Sequence, residues 1–148
     1  MSSYRQILYH IVFRTKDSKK TLLLEESEEL YKYIWGIIKN KNGFLYRING
    51  MEEHIHILSD LHPSVALADY VRDIKTASSV WIKQNEKFPD FQGWADGYAG
   101  LTYSWKDKDF IINYIKNQRE HHKKYSFEDE YRKLLEEHGI TPDERYFP

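Results

Sequence analysis

Three groups of side chains in this sequence could do chemistry: a histidine pair at His54-Ile55-His56, a tyrosine at Tyr114 and a glutamine at Gln118. On an extended strand, residues two apart point to one face. His54 and His56 would then project together, roughly 6–7 Å apart, while Ile55 and Ile57 turn the other way. Imidazole nitrogens so placed can grip one divalent ion, but two ligands make a poor site and a third is needed. A helix opening near Asp107 offers one: Tyr114 and Gln118 lie four residues apart, one turn on a shared face. The amide oxygen of Gln118 can ligate a hard cation, and Tyr114 carries a phenol one turn before it. Each feature alone has a plainer reading. The histidines could sit half-exposed on a polar sheet face, and a tyrosine near Phe110, Ile111 and Ile115 could be helix core. The coincidence of all three points to metal-assisted chemistry at the tyrosine.

Further residues are weaker candidates. His10 has the strand parity to share the face of the histidine pair, and Glu53 directly precedes it. Arg14 and Lys16 belong to a basic cluster with Lys19 and Lys20, and Lys116 to a second one running from Lys106 to Lys124. Lys75, Ser78 and Ser79 on the second helix could touch phosphate, although a solvated helix face is the plainer reading. Tyr98 and Tyr103, with Trp94, could stack on bases, and core packing would use them equally well. His121-His122 reads as an exposed basic helix end rather than a metal clip, because adjacent helical residues point about 100° apart.

The elements that must hold these residues follow from periodicity. Ile7 to Phe13 alternates as a strand, with His10 and Arg14 the polar positions of its second face. Glu25 to Lys41 has a helical stripe of Leu30, Ile34, Ile37 and Ile38, ended by Asn42-Gly43. Phe44 to Ile48 and Glu53 to Leu58 are two further strands, joined at the hairpin signal Asn49-Gly50. After Pro63, Ser64 is placed to cap a helix reaching Lys83, with Leu67, Val71, Ile74 and Trp81 inward. A loop with Pro89, Gly93 and Gly97 leads to a strand from Tyr98 to Ser104. A helix then runs from Asp107 to Lys124, and Ser126 caps a last one ending near Gly139. The order β-α-β-β-α-β predicts an α+β, ferredoxin-like antiparallel sheet with added C-terminal helices. Its first and third strands are central neighbours, and its second face is left free for function.

The 148 residues suit one compact domain, with 41% hydrophobic and 30% charged residues. The absence of cysteine excludes disulfides, thiolate sites and a cysteine nucleophile, and fits a reducing cytoplasm. No apolar run approaches the roughly 18 residues of a membrane span, and the N-terminus lacks the pattern of a signal peptide. Net charge is −1, from 22 basic and 23 acidic residues. Such a balance still allows one basic face, and 12 tyrosines supply aromatic surface of the kind that single-stranded nucleic acid stacks on.

On these residues the chain resembles the single-tyrosine transposases of the HUH nuclease superfamily, including the REP-associated tyrosine transposases. Tyr9-His10-Ile11-Val12-Phe13-Arg14-Thr15-Lys16 is similar to that family's first strand, and Glu53-His54-Ile55-His56-Ile57-Leu58 to its His-hydrophobic-His strand. Gly97 to Ser104 resembles the strand before the catalytic helix, and Tyr114-Ile115-Lys116-Asn117-Gln118 that helix. The tail from Glu120-His121-His122-Lys123-Lys124 to Asp143-Glu144-Arg145-Tyr146 is similar to that of small stand-alone members. Glu53 departs from the aspartate often found before the first histidine. The resemblance implies a transposase domain over residues 1–126, followed by a helical tail at 127–148. Tyr114 would be the nucleophile, and His54, His56 and Gln118 the ligands of Mg²⁺ or Mn²⁺. His10 and Glu53 would stand in support. The expected activity is cleavage and rejoining of single-stranded DNA with hairpin ends through a 5′-phosphotyrosine, by a homodimer. The alternatives are a domesticated nuclease that trims REP-type hairpins, a nucleic-acid-binding ferredoxin-like module without chemistry, and an interaction protein with an inactive site.

Overall fold

The computed structural model describes residues 2–147. Four antiparallel strands form one sheet: β1 (Leu8–Arg14), β2 (Phe44–Gly50), β3 (His54–Asp60) and β4 (Ala99–Tyr103), in the order β2-β3-β1-β4. With α1 (Ser27–Asn40) after β1 and α2 (Leu67–Gln84) after β3, this is the ferredoxin-like arrangement read from the sequence. The central pair is in register with Val12 opposite His56 and Arg14 opposite His54.

Strand parity divides the side chains. Ile11 and Phe13 of β1 and Ile55 and Ile57 of β3 turn to one face. There they pack with Leu30, Ile34 and Ile38 of α1 and Tyr70, Val71 and Ile74 of α2. Each of these aliphatic side chains is essentially fully buried, a gain of about 2 kcal/mol apiece. Leu8, His10 and Val12 turn to the opposite face with His54, His56, Leu58, Ala99 and Leu101.

That second face is covered, contrary to the sequence expectation. A helix begins after the turn at Trp105–Asp107 as α3 (Lys108–Lys116) and breaks at Asn117. It resumes as the short α4 (Gln118–His121), and α5 (Phe127–Glu137) follows. Ile111 and Ile115 of α3 pack on Leu8 and Leu58, while Phe127, Leu134 and Leu135 of α5 pack on Val12, Ala99 and Leu101. The added helices carry enough apolar surface to close the face, so the sheet is sandwiched and His10, His54 and His56 have no exposed surface.

Two local expectations are corrected. Asn49-Gly50 is not the hairpin turn. β2 runs through Gly50, Asn49 pairs with His56 and Gly50 with Ile55, and the chain reverses at Met51–Glu53. A Cβ on Gly50 would collide with the His54 carbonyl oxygen, so this glycine serves close approach of the backbones. The second helix starts at Leu67 rather than at a Ser64 cap, because the Ser64 hydroxyl is paired with His62 Nδ1 at 2.7 Å. Ser126 does cap α5, accepting a bond from the Asp129 amide at 3.1 Å.

Candidate active site

β3 brings His54 and His56 to one face, as their parity requires, and β1 adds His10. The outer nitrogen of each strand histidine is held. His54 Nδ1 lies 2.6 Å from Glu53 Oε1, and His56 Nδ1 lies 2.8 Å from His10 Nε2, whose own Nδ1 lies 3.2 Å from the Tyr103 hydroxyl. The Nε2 atoms of His54 and His56 are thereby aimed at the helical layer. Gln118 meets them from α4, with its Oε1 3.0 Å from His54 Nε2. Tyr114 reaches the same place from α3. The expected nucleophile and three expected ligands therefore lie together within one chain, with His10 and Glu53 bonded behind them.

Two residues that the sequence reading left outside the site complete the cluster. Glu130 of α5 is buried, and its Oε1 lies 3.3 Å from His54 Nε2, 3.2 Å from His56 Nε2 and 3.0 Å from His122 Nε2. Its Oε2 accepts bonds from Gln118 Nε2 at 2.7 Å and from the Tyr114 hydroxyl. His122 is not an exposed basic end: its Nδ1 donates to the Tyr125 carbonyl at 2.9 Å, and its Nε2 also lies 3.0 Å from Gln118 Oε1. Nitrogen and oxygen donors of His54, His122 and Glu130 stand within 4.8 Å of one another, close enough to share an ion. A sequence signal existed for both. Tyr114, Gln118 and His122 recur every four residues, and Glu130 falls between Phe127 and Leu134 on the apolar stripe of α5.

Burial and charge shift these groups in opposite directions. Burial works against charge on His54, but bonds and charge from Glu130 and Glu53 outweigh it and raise its pKa to about 9. Burial also opposes ionisation of Glu130, but His56, His122 and His54 hold its carboxyl well below the usual range. Burial keeps His56 and His10 below the ordinary histidine value. Burial, reinforced by the Glu130 charge, pushes the Tyr114 phenol well above the usual tyrosine value. Burial raises Tyr103 to about 12.

Tyr114 is reached from outside through two adjoining clefts. One of about 240 Å³, between α3 and α5, is lined by Tyr103, Phe110, Tyr114, His121 and Glu130 among others. The other, about 520 Å³, runs past Asn113, Asn117, Lys124 and Tyr125. Phe110 and Tyr125 are exposed along this route.

The remaining candidates are dispersed. Arg14 donates to Ser18 Oγ at 3.1 Å and to the Tyr146 carbonyl at 3.3 Å. Lys16 and Lys116 are exposed, as is Tyr98. Lys75, Ser78 and Ser79 are on α2, across the sheet from the histidines. Lys75 Nζ donates to the carbonyls of Ala95 at 2.8 Å and Gly97 at 2.6 Å. Ser78 is fully buried; it donates to the Ile74 carbonyl and accepts from Trp94 Nε1, so it faces the core rather than a ligand. Ser79 is half-buried.

The sequence profile of the family described as "Transposase IS200 like" matches residues 3–118. The ISDra2 transposase TnpA of Deinococcus radiodurans is 28% identical over 121 residues, 78% of this chain and 86% of that protein. A crystal structure of a transposase from Deinococcus radiodurans R1 superposes with a TM-score of 0.61 at 26% identity, covering 80% of this chain and 95% of that one. A REP-associated tyrosine transposase bound to a REP hairpin shares the fold, with a TM-score of 0.61 at 17% identity over 82% of this chain and 74% of the other. Among the described residues no helix is long and apolar enough to cross a membrane. With that profile covering most of its length, the chain belongs to the single-tyrosine, IS200-like family of transposases, enzymes of DNA cleavage and rejoining.

Proposed function

We propose that this protein cleaves and rejoins single-stranded DNA in transposition, with Tyr114 as nucleophile and a divalent ion, Mg²⁺ or Mn²⁺, held by His54, His56 and Gln118. The observation that carries this reading is the convergence, in one chain, of the Tyr114 hydroxyl, Gln118 and the Nε2 atoms of both strand histidines around a single carboxylate. The residues fit a metal. Two imidazoles and an amide oxygen are a competent borderline donor set, and each strand histidine has its outer nitrogen bonded, as metal-bound histidines do. When bound, the ion supplies positive charge against the scissile phosphate and lowers the pKa of the nearby phenol.

The chain's own side chains do the rest. Glu130 Oε2 accepts the hydrogen bond of the Tyr114 hydroxyl and so sets its direction. Attack of the phenol oxygen on phosphorus forms a 5′-phosphotyrosine, breaks the P–O3′ bond and leaves a 3′-hydroxyl. The phenol proton passes to solvent, and the leaving 3′ oxygen gains one. The new ester retains the energy of the broken bond, so another 3′-hydroxyl can reverse the step without ATP. Phe110 and Tyr125 give the entering strand aromatic faces to stack on, and Lys124 a charge for its backbone. DNA with hairpin ends is the proposed substrate. The REP hairpin bound to the REP-associated neighbour supports this.

The test is incubation with a single-stranded oligonucleotide library and Mn²⁺, followed by a denaturing gel. Wild type should yield a covalent protein–DNA band. Tyr114→Phe should still bind DNA, yield no band and lose at least about a thousandfold in cleavage. A persistent band in that variant would move the nucleophile elsewhere, and cleavage surviving in chelator would remove the ion from the reaction.

A further inference from the structure

We propose that His122 and Glu130 are ligands of the same ion as His54, His56 and Gln118. Helix α5 is then a structural part of the metal centre, and the ion preferred is a transition metal such as Mn²⁺ over Mg²⁺. This assignment rests on the metal-dependent reading above and extends it to residues beyond position 118, where the family profile ends.

Hydrogens and lone pairs do not balance in the cluster as it stands. His54 Nδ1 faces the Glu53 carboxylate, and His122 Nδ1 faces the Tyr125 carbonyl. Both partners only accept, so both Nδ1 atoms carry the hydrogen. In the neutral rings both Nε2 atoms are therefore bare lone pairs. They meet two further acceptors: Gln118 Oε1, 3.0 Å from each, and Glu130 Oε1, 3.3 Å from His54 and 3.0 Å from His122. Gln118 cannot resolve this by turning its amide, because its Nε2 is donating to Glu130 Oε2 at 2.7 Å. His56 Nε2 points at the same Glu130 oxygen from 3.2 Å. In the neutral rings of His54 and His122, two nitrogens and two oxygens thus converge with no hydrogen among them, and either a proton on His54 or a bound cation answers the deficit; His56 Nε2 can keep a hydrogen of its own when its Nδ1 accepts from His10.

A divalent ion supplies that charge with the right spacing. Bonds of about 2.0–2.2 Å place neighbouring ligand atoms about 3 Å apart, which matches the 3.0–3.3 Å between the oxygens of Glu130 and Gln118 and the His54 and His122 nitrogens; donors of His54, His122 and Glu130 stand mutually within 4.8 Å, and His56 meets them through Glu130 Oε1 at 3.2 Å. The support behind the donors has the same meaning, since a carboxylate, a backbone carbonyl and His10 fix the three rings, as in metal sites. Three imidazoles with one carboxylate and one amide suit Mn²⁺, Co²⁺ or Zn²⁺ far better than Mg²⁺, which favours oxygen and water. The rival role for Glu130 is a plug, a carboxylate resting where the scissile phosphate must enter. The two roles predict opposite signs.

The experiment is Mn²⁺ titration of the full chain, followed by electron paramagnetic resonance, on wild type, Glu130→Gln, His122→Ala and the His54→Ala/His56→Ala pair. The expected result is one tight site in wild type and weakening by at least about tenfold in each single variant. Mg²⁺ should displace Mn²⁺ only at about a hundredfold excess or more. Nitrogen modulation of the wild-type Mn²⁺ signal counts coordinated imidazoles without any substitution, so the result stands even if a variant fails to fold; three are expected. Two imidazoles, or equal or tighter binding by folded Glu130→Gln, would overturn the inference while leaving the metal reading in place. Absence of a site in wild type, or one indifferent to loss of both strand histidines, would remove the metal reading and the inference together.

Discussion

At the scale of the residue, the site depends on how each ring is held from behind. The His54 and Glu130 partnership gives a pH signature in the chelated protein. His54 is raised from 6.5 to about 9 on folding, so its contribution is complete below pH 6.5 and is lost as pH rises through 9. Glu130 is lowered, so its share is present above its ordinary value of 4.5 and lost only in strong acid. The melting temperature with chelator should therefore fall by several degrees between pH 6.5 and 9, and His54→Gln should flatten that decline; differential scanning calorimetry reads both. These residues were unequally legible. Parity gives the histidine pair from the sequence alone, and a four-residue spacing gives Gln118 once Tyr114 is chosen. Glu130 is preceded by Glu128 and Asp129, and nothing in its type separates it from a solvated first turn. Only its place between Phe127 and Leu134 marks it as inward-facing.

At the scale of the element, α5 is the piece most exposed to perturbation. Its first turn is secured by Ser126 Oγ, and Phe127, Leu134 and Leu135 anchor it to Val12, Ala99 and Leu101. Ser126→Ala should cost about 1 kcal/mol of stability, read by chemical denaturation, and should speed amide exchange in α5 before the sheet. The strands and the first two helices were readable because each has one strong period and one buried face. The break at Asn117 was not, since 107–124 keeps a helical pattern throughout. Covering of the second sheet face also escaped, because the apolar stripes of α3 and α5 do not say which surface they meet.

At the scale of the whole molecule, every donor of the cluster comes from one chain. Where that arrangement is kept in the homodimer implied by the family resemblance, the tyrosine acts beside the histidines of its own subunit. Mixing the His54→Ala/His56→Ala protein with Tyr114→Phe tests this directly. Cleavage should stay at background, whereas recovery to roughly a quarter of wild type, the statistical share of one repaired site per mixed dimer, would show that helices are exchanged between subunits. Sedimentation of wild type would give the subunit number independently.

The interruption at Asn117 separates two kinds of work along what is otherwise one rod. The phenol rides upstream on α3, while Gln118 and His122, the side chains proposed to hold the ion, lie downstream. Asn49 clasps the joint from the edge strand, donating to the carbonyls of Ile115 at 3.1 Å and Lys116 at 3.0 Å. For α3 to tilt alone and carry an attached DNA end away from the proposed cation, that clasp and the packing of Ile111 and Ile115 on Leu8 and Leu58 would both have to give way. The molecule would then have a swinging arm and a fixed anvil, so the strand to be joined could be changed without dismantling the centre that joins it.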